Sequence, residues 1–259
     1  MSRIIAIANQ KGGVGKTTTN VNLSACLAVA GKRALTIDID PQGNTTSGLG
    51  IDKNKIEKSI YDVLINGADA KEAIIHTEID NLDIIVSNIQ LAGAEIELVS
   101  MISRETILKK ALSEIRDSYD YILIDCPPSL GLITINALTA ADRLLVPIQC
   151  EYYALEGLAQ LMNTVNLVQK HLNPDLKIEG VVLTMFDART NLAIEVVQEV
   201  KKYFRDKVYT TIIPRNVRLG EAPSHGLPII MYDPKSTGAE AYTDLAEEMI
   251  ENELEEDML

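Results

Sequence analysis

The sequence predicts an α/β fold, a mostly parallel twisted sheet with helices on both faces. Three observations predict it. Short, nearly continuous apolar runs recur along the chain, amphipathic segments of helical length separate them, and the first run leads into a glycine-rich turn that opens a helix. Strands buried on both faces of a parallel sheet read as unbroken apolar runs. Their alternation with helices calls for right-handed crossovers and helices on either side of the sheet.

The strands are expected at Ile4–Asn9, Ala34–Asp40, Leu82–Ser87, Tyr121–Asp125, Leu144–Gln149, Val181–Phe186 and Val208–Ile213. Helices are expected at Lys16–Ala30, Ile102–Asp117, Ile133–Ala140, Leu155–His171, Asn191–Phe204 and Gly238–Asn252. In Leu155–His171, the residues Leu158, Leu161, Met162, Val165, Leu167 and Val168 recur at helical spacing and form a core-facing stripe. Ile51 to Asn81 is less regular and reads as a surface excursion between strands. No Pro/Gly/Ser-rich linker or internal repeat divides the chain, so residues 1–252 are expected to form one domain. Residues 253–259 are expected to be a disordered acidic tail, a solubility feature or part of a partner site, with disorder at the very end the default.

With 259 residues, 46% hydrophobic, the chain can bury a substantial core, built from Ile, Leu, Val and Ala because it has no Trp and two Phe. Cys26, Cys126 and Cys150 form no CxxC pair, which argues against a zinc site or a disulfide framework and for buried, reduced thiols. A strand-like run begins at once and no apolar stretch approaches the roughly 18 residues of a membrane span, so a soluble cytoplasmic protein is expected. The net charge of −13 argues against a nucleic-acid partner. Nine acids follow Lys235 without a single Lys or Arg, however, and the rest of the chain carries only −4. A local basic surface is compatible with that balance.

Chemistry begins at Lys11-Gly12-Gly13-Val14-Gly15-Lys16-Thr17-Thr18. Three glycines in four positions let backbone N–H groups turn inward as a nest for phosphate oxygens at a helix N-terminus. Lys16 supplies a cation for the outer phosphates and Thr17 a hydroxyl suited to Mg²⁺. The usual phosphate loop is G-x-x-x-x-G-K-[ST]; here Gln10 stands at its first glycine, and an additional lysine, Lys11, precedes the glycine pair.

Two further strands end in carboxylates. Asp38 and Asp40 close the second strand, two residues apart and followed by Pro41-Gln42-Gly43-Asn44. The carboxyl ends of parallel strands border the ligand crevice of α/β sheets, and two carboxylates beside a triphosphate call for a divalent cation. Tyr121-Ile122-Leu123-Ile124-Asp125 is an apolar strand ending in one carboxylate, a Walker B pattern with Asp125 expected to hold Mg²⁺ through water.

The run KGGVGKTT resembles the deviant Walker A motif of the ParA/MinD family of P-loop ATPases. The segments DPQGN, CPPSLG, QCEYYALEGL, LTMFDART and PRNVRLGEAPSHG extend the resemblance, across nearly the whole chain, to the chromosomal ParA branch of bacterial Soj type. The resemblance implies a three-layer P-loop NTPase fold and an ATP-dependent sandwich homodimer in which Lys11 reaches the partner's nucleotide. It further implies that Asp40 orients the attacking water, that Asp38 supports the metal and phosphate surroundings, and that Pro214 and Asn216 contact the adenine. Family members bind double-stranded DNA without sequence preference as ATP dimers and release it when a ParB-type centromere-binding partner stimulates hydrolysis. They thereby partition replication origins on the nucleoid, and some act on replication initiation.

Among the basic residues Arg189, Lys201, Lys202, Arg205, Lys207, Arg215 and Arg218, the resemblance favours Arg189 and Arg218 for DNA. A MinD-like membrane-cycling ATPase is the alternative. It would need a basic amphipathic C-terminal helix, whereas this C-terminus is acidic, so no membrane partner is expected. An iron–sulfur carrier sharing the loop would need a cysteine pair for its cluster, and the spacing of Cys126 and Cys150 offers none.

Overall fold

The computed structural model describes residues 2–151 and 156–258. Among them one sheet runs in the order β3-β4-β2-β5-β1-β6-β7-β8. Its strands are β1 (Arg3–Ile7), β2 (Ala34–Asp38), β3 (Ile74–His76), β4 (Leu82–Ile85), β5 (Tyr121–Asp125), β6 (Arg143–Gln149), β7 (Lys177–Phe186) and β8 (Val208–Pro214). Every neighbouring pair is parallel except β3–β4. The helices are α1 (Lys16–Val29), α2 (Asn44–Gly48), α3 (Ile60–Leu64), α4 (Leu91–Leu98), α5 (Ile107–Ser113), α6 (Leu132–Ala140), α7 (Glu156–His171), α8 (Asn191–Phe204), α9 (Val217–Glu221), α10 (Ile229–Tyr232) and α11 (Thr237–Asp257).

Alternation along β1 distributes its side chains between two cores, because successive residues of a strand face opposite ways. Ile4, Ala6 and Ala8 join Leu112, Ile133, Leu161 and Val200 from α5, α6, α7 and α8. Ile5 and Ile7 join Leu23 and Leu27 of α1 and Tyr242, Leu245 and Met249 of α11. The predicted three layers are therefore observed.

Three sequence expectations are corrected. The single helix expected at Ile102–Asp117 is α-helical only over Ile107–Ser113, with tighter 3₁₀ turns at Arg104–Thr106 and Arg116–Ser118. Ser103, at φ 54°, sits in the left-handed region and breaks the helix there. The irregular excursion contains α3, capped by a reciprocal Ser59–Asp62 box, and the short edge strand β3, antiparallel to β4. Finally, α11 continues to Asp257, so the expected tail from residue 253 is helical through that point. Two of its acids have partners: Arg3 meets Glu253 at 3.1 Å and Glu256 at 3.4 Å, Arg143 meets Glu256 at 2.5 Å and also Glu179 of β7 at 3.3 Å, and the Tyr121 hydroxyl donates to Glu253. These pairs fasten α11 across the amino ends of β1 and β6. The first residue of the expected Leu155–His171 helix, and four residues of the QCEYYALEGL segment, lie outside the described residues.

Candidate nucleotide site

The strand order brings distant residues to one level. β5 lies between β1 and β2, and its register pairs Asp125 with Ile7 on one side and with Asp38 on the other. The chain leaves β1 toward β2 and leaves β5 toward β6, in opposite directions along the sheet. That divergence opens the crevice in which doubly wound sheets hold ligands, and the glycine-rich loop leaves β1 at its edge.

Within the loop, Gly13 (φ +75°) and Gly15 (φ +89°) adopt left-handed backbone, with Gly15 at the N-cap of α1. The loop is braced from outside by Thr184 of β7, whose hydroxyl donates to the Val14 carbonyl at 2.8 Å. Asn9 accepts from the Lys11 amide at 3.0 Å and donates to the Pro147 carbonyl at 2.8 Å. Lys16 folds back under the loop, its Nζ 3.3 Å from the Lys11 carbonyl. Burial lowers the pKa of that ammonium, against the raising influence of Asp125 and Asp40. A buried cation short of a full ion pair is poised for an anionic ligand.

Opposite it, Asp38 and Asp125 are fully buried. Burial raises the pKa of both carboxyls. The Asp38 charge raises Asp125 further, while the hydroxyls of Thr17 and Thr45 and the Lys16 charge act the other way. Asp38 spends both oxygens inside the protein: Oδ2 accepts from the Thr46 amide (2.8 Å) and hydroxyl (2.7 Å), and Oδ1 from the Asp40 amide (3.2 Å). It is thereby placed to support the site rather than to bind a cation directly. Asp125 Oδ2 accepts from the Thr45 hydroxyl at 2.8 Å, the Thr17 hydroxyl also acts on this carboxylate, and the buried Oδ1 makes no hydrogen bond among the described residues. Asp40 is half-buried at the turn into α2, its Oδ1 accepting from the Gln42 amide at 2.9 Å.

The donor set fits a magnesium ion. A lone buried carboxylate oxygen and a threonine hydroxyl are hard ligands, and Mg²⁺ keeps several waters and phosphate oxygens rather than a closed protein cage. Among the described residues no cluster of three His, Cys, Asp or Glu side chains is gathered that would suit a metal needing more protein ligands.

Beyond Gly15 and Thr18 opens a cavity of about 350 Å³, lined also by Thr184, Met185, Pro214 and Asn216. It has the size and position for a nucleoside. The Asn216 side chain caps α9, accepting from the Arg218 amide at 2.7 Å and donating to Thr237 at 2.8 Å. Both polar atoms of that side chain are thereby engaged within the protein. Met185 lines the cavity at φ 52°, a strained conformation for a side-chain-bearing residue.

Arg189 and Arg218 lie after β7 and β8, on the same carboxyl edge. The two loops are tied by a hydrogen bond from the Arg215 amide to the Phe186 carbonyl at 3.0 Å. Each arginine is ion-paired on the surface, Arg189 with Asp187 at 2.7 Å and Arg218 with Glu221 at 2.7 Å and Asp233 at 3.5 Å. Exposed pairs of this kind exchange partners at little cost.

A sequence-family profile described as an AAA domain matches residues 2–178. Sporulation initiation inhibitor protein Soj of Bacillus subtilis is 69% identical over 252 residues, covering 97% of this chain and all of that protein. Chromosome partitioning protein ParA of Myxococcus xanthus is 54% identical, covering 98% and 89% respectively. The chain belongs to the Soj/ParA family of chromosome-partitioning ATPases. Solved structures agree with this P-loop ATPase assignment. Cobyrinic acid a,c-diamide synthase of Mycobacterium smegmatis, with bound ADP and magnesium, superimposes with a TM-score of 0.84 at 39% identity, covering 95% and 93% of the two chains. The cell division ATPase MinD of Pyrococcus furiosus superimposes with a TM-score of 0.79 at 30% identity, covering 97% and 99%.

Several residues of this Soj/ParA site carry no sequence signal of their own. Asn20, Thr36, Thr45, Thr46 and Thr184 are buried polar groups whose partners lie far away in the chain. The repeated threonines after Gly43 were the available hint.

Proposed function

We propose that this chain is an ATP-operated dimer switch for DNA. Two copies, each holding ATP and Mg²⁺, close face to face, bind double-stranded DNA without sequence preference, and separate when a ParB-type partner accelerates hydrolysis. The observation that carries the reading is Lys11. Lys16 already serves the phosphate loop from within, whereas the Lys11 ammonium makes no hydrogen bond or ion pair among the described residues. A cation unused by the described residues of its own subunit fits a role across an interface.

In this reading Lys16 and the loop amides stabilise charge on the transferred phosphoryl group, Asp40 orients the attacking water, and the second copy's Lys11 completes the site in trans. Thr17 and Asp125 hold Mg²⁺, directly or through water, with Asp38 in support; the ion supplies charge neutralisation on the phosphate oxygens. Pro214 and Asn216 border the adenine. Arg189 and Arg218, on the edge that carries the nucleotide, trade their surface carboxylates for DNA phosphates, and a dimer doubles the number of such contacts. The protein acts in the cytoplasm on the nucleoid, in chromosome origin partitioning.

The test is retention of DNA by wild type and Asp40→Ala with ATP, with ADP and without nucleotide. Retention specific to ATP, prolonged in Asp40→Ala and weakening steeply with salt, is the expected result. Equal retention in all three nucleotide states, or a monomeric Asp40→Ala protein at saturating ATP, would overturn the scheme.

A further inference from the structure

We infer that Thr45 is a positioning residue that fixes which oxygen of Asp125 faces the cation and ties that carboxylate to the loop carrying Asp40. The inference rests on the nucleotide–magnesium reading of the site.

The geometry determines the direction of each proton. Asn20 Nδ2 donates to Thr36 Oγ1 at 2.6 Å and to Thr45 Oγ1 at 3.1 Å. Thr45 Oγ1 therefore accepts from the amide and spends its single hydrogen on Asp125 Oδ2, 2.8 Å away. The opposite amide orientation would set the Asn20 and Asp125 oxygens competing for that one hydrogen. All four residues are fully buried, so no bulk solvent replaces a missing partner. Asp125 thus has Oδ2 occupied by Thr45 and, among the described residues, no hydrogen bond at Oδ1.

The neighbouring Thr46 grips the other carboxylate, with amide and hydroxyl both on Asp38 Oδ2, and its hydroxyl accepts from the Ser87 amide at 3.0 Å. Two adjacent threonines at the start of α2 therefore hold the two buried carboxylates, and only Pro41–Asn44 separates them from Asp40. A rotation of Asp125 reaches the Asp40 loop through one side chain. Outer partners that orient a metal-binding carboxylate typically change metal affinity by about 10–100-fold when lost.

The experiment is calorimetric titration with ADP, in chelator and in excess Mg²⁺, on wild type, Thr45→Val and Thr45→Ser. Valine keeps the shape and removes the donor, while serine keeps the donor. Thr45→Val is expected to bind ADP without metal within about two-fold of wild type, yet to lose roughly ten-fold of the gain in affinity that Mg²⁺ confers. Thr45→Ser is expected to restore that gain. Asn20→Ala should show the same selective loss, and it should add little in a Thr45→Val background, because Asn20 acts through Thr45. A full Mg²⁺ gain in Thr45→Val, an equal loss in Thr45→Ser, or a loss of metal-free affinity would each overturn the assignment. Failure of wild type to bind ADP at all would instead overturn the nucleotide reading, and this inference with it.

Discussion

Gly12→Val separates what the loop does for its own fold from what it does for a ligand or partner. An added Cβ at Gly12 meets no atom of the described residues within 4 Å, and Gly12 is not among the glycines with positive φ. The side chain also stands at an exposed position. Gly12→Val should therefore leave stability within about 0.5 kcal/mol of wild type, as exposed substitutions away from strained backbone do. For a chain of this size, that corresponds to a shift in Tm of about 2 °C or less. Gly15→Ala supplies the contrast. Its Cβ would stand 3.6 Å from Thr184, an ordinary contact, but φ +89° is unfavourable for any side chain, and the strain should cost about 1–2 kcal/mol. Urea unfolding of both variants, alongside light scattering after size exclusion with ATP and ADP, reads the two effects separately. Gly12→Val should be natively stable yet fail to form the proposed ATP dimer, because its side chain would stand in space that the second copy is proposed to fill. A stable Gly12→Val protein that dimerises normally with ATP would refute the reasoning, as would one that fails to fold.

Lys16→Ala should lose ATP and ADP binding by calorimetry without losing its circular dichroism spectrum, since the side chain is aimed at the loop rather than at the core. Arg143→Met leaves the nearly buried Glu179 without its guanidinium and Glu256 with Arg3 alone. About 3 kcal/mol of stability should be lost, and about half of it should return in Arg143→Met/Glu179→Gln, both measured by urea titration. The raised carboxyls of Asp38 and Asp125 favour protonation in the folded chain. Their contribution to stability is thus present at acid pH and is lost as pH rises above the ordinary carboxylate range. In chelator, Asp125→Asn should gain stability relative to wild type as pH increases from 5 to 8, and a pH-independent difference would show that Asp125 is not the group responsible. Arg189→Glu with Arg218→Glu should reduce ATP-dependent DNA retention while leaving the ATP dimer intact by light scattering.

The layers of the fold were legible because buried parallel strands leave continuous apolar runs; Tyr121–Asp125 and Asn191–Phe204 have their expected bounds. The phosphate loop was legible because its chemistry is local, with strand, glycines, Lys16 and Thr17 all falling within fifteen residues. What escaped was set by distant contacts. β3 is three residues long and exists by pairing with β4, which no local periodicity announces. The last turns of α11 looked like a solvated acidic tail because their arginine partners are residues 3 and 143. Thr45 is an ordinary turn threonine until the sheet sets Asp125 beside Asp38.

That placement of β5 between β1 and β2 also has a consequence for how the protein is made. The glycine loop and Asp38 are synthesised within the first forty residues, yet the strand that must slot between them ends at Asp125. A nascent chain shorter than this cannot complete the crevice, and forming it requires a long-range pairing of the kind that slows folding. Because a ligand that binds only the native state adds to its stability, nucleotide would lend nothing to early intermediates and would first act once the middle strand has been inserted. A refolding time course followed through nucleotide binding should accordingly lag one followed through helix content.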